Sequence, residues 1–169
     1  MTSEVDVSCD EGMSMPLTRD ELEADVALVL AEEGVERPCS VSVSVVTDGH
    51  MHALNRTWRG QDKPTDVLSL ECERPDAPDL APGEPCELGD VVLAPAYIER
   101  QARGFGTTYA DEFRLLLVHG LLHLLGYDHL DDAEATLMEA REDTLVAKIA
   151  TDAPIDPVTF TRHREGEDR

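Results

Sequence analysis

Residues 119–129 read HGLLHLLGYDH, and three of the chain's six histidines fall inside them. His119 and His123 are four positions apart in an apolar run, so on a helix their imidazoles share one face about a turn apart and can share an ion. Gly126 lets the chain leave that helix in a left-handed turn, after which His129 can swing back as a third ligand. Three neutral imidazoles around a zinc-type ion leave the fourth position open, which is the layout of a catalytic site and not of a closed structural one. A lone histidine on an apolar helix is better read as a satisfied core residue. The helical spacing, the terminating glycine and the third histidine together favour joint ligation by His119, His123 and His129. His50, His52 and His163 have no such framework and default to exposed residues.

The helix carrying the pair is expected to start at Thr108, with Asp111 three residues on, and its Phe113, Leu116, Leu117, Leu121 and Leu124 make it largely buried. Working outward, Asp132 to Ala150 reads as a last helix. Pro95 to about Phe105 reads as one closed by Gly104 and Gly106. Thr18 and Glu21 form a capping-box pattern before a helix with Leu22, Val26, Val29 and Leu30 on its apolar stripe. A further helix is expected from about Asp48 to Trp58, with Met51, Leu54 and Trp58 on one face. Glu4 to Cys9, Ser40 to Val46, Val67 to Glu71 and Asp90 to Ala94 read as strands. These elements neither alternate strictly nor segregate. The expected fold is therefore α+β: a small mixed four-stranded sheet with about five helices and a zincin-like metal-binding helix and turn.

With 169 residues the chain can bury a core without disulfides, and one domain over 1–150 is expected, followed by a disordered tail at 151–169. ERPDAPDLAPGEPCE, residues 73–87, has no periodicity and reads as a surface loop. The four cysteines, Cys9, Cys39, Cys72 and Cys86, form no CxxC pair, so a reduced compartment is expected, with Cys72 and Cys86 structural and not a shared metal site. No apolar run approaches bilayer-spanning length, and the acidic start lacks the features of a signal peptide; a cytoplasmic location is expected.

The net charge of −22 opposes non-specific binding to a polyanion, so charge must be read locally. Residues 1–36 hold eleven acids against Arg19 alone. His50 to Pro64, by contrast, carries Arg56, Arg59 and Lys63 against Asp62 only. A phosphate site, if there is one, belongs there. The remaining acidic surplus reads as a solvated, repulsive surface.

The histidine spacing also matches metzincin proteases, in which a glutamate general base follows the first histidine. Here that position is Gly120, so peptide hydrolysis is the runner-up. Asp128 has two readings: an acid/base or a hydrogen-bond partner of a ligand histidine, or a turn aspartate bonding local backbone N–H groups.

Read as a unit, HGLLHLLGYDH resembles the YbeY family of metal-dependent bacterial endoribonucleases of ribosomal RNA maturation. LNRTWRGQDKPTDVLSL, from Leu54 to Leu70, is similar to the family's other hallmark, and LGDVVLAP, from Leu88, to its LGDI segment. Leu70 stands where the family usually has phenylalanine. The resemblance implies that His119, His123 and His129 correspond to the three metal ligands and Arg59 to a functionally important arginine. A guanidinium suits that role because it can grip two phosphate oxygens at once. On composition alone, an ion pair of Arg59 with Asp62 or Asp66 would be the plainer reading. Asp66 is expected to bond backbone groups and Asp90 to brace the sheet.

The resulting expectation is a single-strand-specific endoribonuclease acting in 16S ribosomal RNA 3′-end maturation. It would use one Zn2+, or another divalent transition metal, per chain, with Arg59 and Asp128 as catalytic candidates. The resemblance further implies the small ribosomal subunit, its proteins and an Era-type GTPase as partners. The rivals are a metzincin-like metallopeptidase and a non-catalytic, metal-stabilised ribosome assembly factor.

Overall fold

In CSVSVSV, Cys39 and the three valines are buried while the serines stay half-buried, so the segment forms a strand with one face in a core. This is β2 (Cys39–Val45), flanked by β1 (Glu4–Cys9) and β4 (Cys86–Leu93), both parallel to it, while β3 (Val67–Glu71) pairs antiparallel with β4 at the far edge. The computed structural model describes residues 3–149; the tail expected to be disordered, 151–169, lies outside the described residues. The order β1-β2-β4-β3 makes a mixed four-stranded sheet, and with five helices the fold is α+β as expected. β4 starts at Cys86 and not at Asp90, because its first residues pair with Cys39 and Ser40 before the register steps past Leu88. Gly89 sits at that bulge with φ 129, and a Cβ there would lie 2.1 Å from the Leu70 carbonyl oxygen, so the backbones meet where no side chain fits.

The helices begin where their caps place them. Thr18 and Glu21 form the reciprocal capping box of α1 (Arg19–Glu32). Thr47 and Thr108 accept N–H groups at the starts of α2 (Asp48–Arg59) and α4 (Tyr109–Leu124). Pro95 opens α3 (Pro95–Phe105), and α5 (Asp132–Ile149) follows the histidine turn. α4 is buried continuously from Glu112 to Leu122, because it lies across β3 and β4 and is covered by α1, α3 and α5. Its main core joins Val41, Val43, Val45, Val91 and Leu93 of the sheet to the leucines of α1 and α4. The opposite sheet face carries a smaller core, with Val46, Leu68 and Val92 against Met51 of α2.

Two further features depart from the sequence reading. Trp58 is not on a buried face with Met51 and Leu54: it is 59% exposed, and Leu54 is only half-buried. From Arg56 onward every residue of α2 is exposed, so its last turn has nothing beneath it. The acidic segment 73–87 is irregular up to Pro85, as expected, but it is anchored. Leu80 plugs into the main core, and the Arg37 guanidinium donates to the carbonyls of Pro75 (3.0 Å), Ala81 (2.7 Å) and Glu84 (2.6 Å). No helix among the described residues is long and apolar enough to cross a membrane.

Candidate metal centre

α4 ends in a Schellman turn: the Gly126 N–H returns to the His123 carbonyl and the Tyr127 N–H to the Leu122 carbonyl, each at 3.0 Å. Gly126 supplies the positive φ of 109 that this closure needs. The turn brings His129 back over the helix, with ring centroids 5.7 Å from His119 and 5.0 Å from His123. One ligand atom from each of the three histidines lies within 4.8 Å of the others. The Nε2 atoms of His119 and His123 are 3.1 Å apart, both aimed at the same small space. This nitrogen donor set suits a transition metal ion. The Asp128 Oδ1 accepts the His129 N–H at 2.8 Å, so the turn role is realised in the geometry.

The other nitrogen of His119, Nδ1, contacts the Oε1 of Glu142 on α5, and both side chains are buried. A carboxylate behind a ligand histidine fixes which ring nitrogen faces the ion and raises its basicity. The sequence reading missed Glu142. Its signal was an acid set among the buried positions of α5, four residues after Met138 and three before Leu145.

His119, His123, Asp128 and Arg59 line one cleft of about 340 Å³. Arg59, the last residue of α2, reaches across to donate from Nη2 to the Ser69 carbonyl on β3. Ser69 Oγ in turn donates to the Gly120 carbonyl on α4 at 3.3 Å. The ion pair expected from composition alone is not formed with Asp62, which instead meets His52 at 2.8 Å and Arg56 at 3.9 Å. Asp66 is buried and accepts from the Val67 N–H (2.7 Å) and the Gln101 amide (3.1 Å). Asn55, buried, donates to the Lys63 carbonyl at 2.9 Å and ties the loop after α2 to the helix.

The chain matches the profile of the family described as Endoribonuclease YbeY over residues 9–150. It belongs to the YbeY family. An Endoribonuclease YbeY of Paramagnetospirillum magneticum is 50% identical over 115 residues, 68% of this chain and 70% of that one. One from Chromohalobacter salexigens is 40% identical over 157 residues, 91% and 98% of the two chains. The solution structure of TM1509 from Thermotoga maritima matches with a TM-score of 0.57 at 26% identity, over 86% of this chain and 89% of that one.

In this YbeY-family chain Gly120 faces the sheet. A Cβ there would stand 2.8 Å from Val91 Cγ1, so the glutamate that a metzincin carries at this position has no room. His50 is exposed and meets Asp10 at 2.8 Å; His52 is half-buried and meets Asp62 at 2.8 Å; His163 lies outside the described residues. Cys39 and Cys86 are buried cross-strand neighbours, and burial, reinforced by Cys39, pushes the Cys86 thiol up to about 12. Cys9 and Cys72 are exposed, and all four are free thiols. Among the described residues, the cluster of three metal-ligating side chains is the histidine triad.

Proposed function

We propose that this protein is a zinc-dependent endoribonuclease that cuts single-stranded RNA in the maturation of the 16S ribosomal RNA 3′ end. The observation that carries the reading is the meeting of two motifs, far apart in sequence, in one cleft: His119 and His123 of the three-histidine cluster, and Arg59. His119, His123 and His129 would hold the ion, with Glu142 behind His119. When bound, such an ion supplies Lewis acidity, polarising a phosphate oxygen or acidifying water.

Arg59 serves the phosphate. One of its nitrogens is tied to Ser69, which aims the guanidinium, and a guanidinium has five donor N–H bonds to share between that anchor and a substrate oxygen. Asp128 lines the same cleft, and with Oδ1 engaged by the His129 N–H, its second oxygen is the group placed to accept or return a proton. Arg56 and Lys63, close in sequence to the cleft residues Asn55, Arg59, Gln61 and Thr65, add positive charge on an otherwise acidic molecule, with Asp62 meeting Arg56 at 3.9 Å. The reading extends to a cytoplasmic setting at the small ribosomal subunit, with its proteins and an Era-type GTPase as partners.

The test is to incubate the purified chain with labelled single-stranded ribosomal RNA and with casein, each with and without chelator. The proposal expects RNA cleavage that the chelator abolishes, and intact casein. Chelator-sensitive casein hydrolysis would establish the metallopeptidase instead, and two intact substrates the non-catalytic assembly factor.

A further inference from the structure

Among the described residues three large hydrophobic side chains are exposed: Trp58 (59%), Leu130 (82%) and Leu137 (58%). Their surroundings differ in charge. Leu130 and Leu137 belong to a stretch with Asp131, Asp132, Glu134 and Glu139, whose charge repels phosphates. Trp58 sits between Arg56 and Arg59, with Lys63 in the following loop and Asp62 the acid of that stretch. On α2, Trp58 is three residues from Asn55 and adjacent to Arg59, both of which line the cleft, so its indole stands within about one helical turn of the cleft rim. A tryptophan left exposed there gains nothing for the core. An indole flanked by cations is the pairing that single-strand binders use, the charges following the backbone and the ring taking a base.

We propose that Trp58 is a base-stacking platform: a nucleobase of single-stranded RNA, next to the phosphate held by Arg59, lies on the indole. The inference rests on the reading of the cleft as a ribonuclease site and adds to it how unpaired nucleotides are selected. A base inside a duplex is already stacked on its neighbours and hides both faces, so an exposed ring discriminates for single strands without reading sequence.

Trp58 is the chain's one tryptophan, so its fluorescence reports on this residue alone. The full chain is titrated with a 2′-O-methyl oligoadenylate decamer, checked by gel to stay intact through the titration, and with a decamer of the same charge lacking bases. The decamer with bases should quench Trp58 to saturation. The abasic one should leave it bright and bind about tenfold or more weakly, the scale of losing one stacked base. On cleavable RNA, Trp58→Ala and Trp58→Leu should raise KM about tenfold and move kcat far less, while Trp58→Tyr restores most of the loss. Melting curves would show that these exposed-site variants remain folded. If RNA is bound and cut by the wild type but neither quenches Trp58 nor responds to Trp58→Ala, stacking is refuted and the ribonuclease reading stands. If the metal-loaded wild type neither binds nor cuts RNA, both fall.

Discussion

Replacing Glu142 tests whether the histidine cluster is built for metal. The Glu142 carboxylate and the His119 imidazole are buried against each other, with no solvent to substitute for a lost partner. Outer partners of ligand histidines are worth about 10- to 100-fold in metal affinity, or roughly 1.4–2.7 kcal/mol. Glu142→Gln keeps the shape and still offers a carbonyl to Nδ1, so it should fall at the weak end, about tenfold. Glu142→Ala removes the acceptor and leaves Nδ1 buried without it, so it should approach 100-fold and also lower the stability of the metal-free protein by about 1–3 kcal/mol. Competition titration against a chromophoric chelator gives the affinities, and melting with and without added zinc gives the linked stability. A Glu142→Ala protein that binds zinc within about twofold of wild type would show that the carboxylate does not orient a ligand histidine.

Other perturbations separate the remaining parts. Arg59→Ala should keep its metal and fold but lose RNA cleavage by about 10² or more, and Arg59→Lys should recover only part of it; wild-type cleavage by the alanine variant would return Arg59 to a surface role. Gly120→Ala should destabilise by up to about 2 kcal/mol, since overpacking against the rigid Val91 costs about 1–3 kcal/mol while helix propensity returns about 1; an unchanged denaturation midpoint would mean the contact with the sheet is looser than 2.8 Å implies. The Asp10 carboxyl is held below its ordinary 3.8 by the Thr47 N–H and then by His50. Its contribution is therefore complete above the unfolded value and is lost as pH falls through the lower folded one. Asp10→Asn should flatten the acid limb of the stability profile below about pH 4, read by denaturant titration at a series of pH values, and an unaltered limb would discount the pairing.

Much of the fold was legible because local chemistry decides it. Thr18 with Glu21 and Thr108 with Asp111 placed two helix starts, and Gly126 placed the turn that returns His129. The histidine cluster was legible for the same reason, since its three members lie on one helix and its cap. What escaped depended on neighbours distant in sequence. Periodicity put Trp58 with Met51, but only the sheet's extent decides where α2 stops being covered. Leu80 lies in an acidic, proline-rich run whose anchor, Arg37, stands just before β2, 38 to 47 residues earlier in the chain than the carbonyls it holds. Glu142 read as one more acid in an acidic helix, because its partner stands 23 residues earlier. Gly120 was legible as a missing base; that it is also the point where α4 meets Val91 and Ser69 required the packed sheet.

Zinc content and single-stranded RNA cleavage, measured on the same preparations of wild type and His123→Ala, test the proposed metal site most directly. Two imidazoles do not hold zinc as three do, so the wild-type chain should carry about one ion and the variant far less, and cleavage should disappear with the metal and return to the wild type when zinc is restored after chelation. Full zinc occupancy in His123→Ala, or RNA cleavage that persists when the metal is gone, would contradict the proposal.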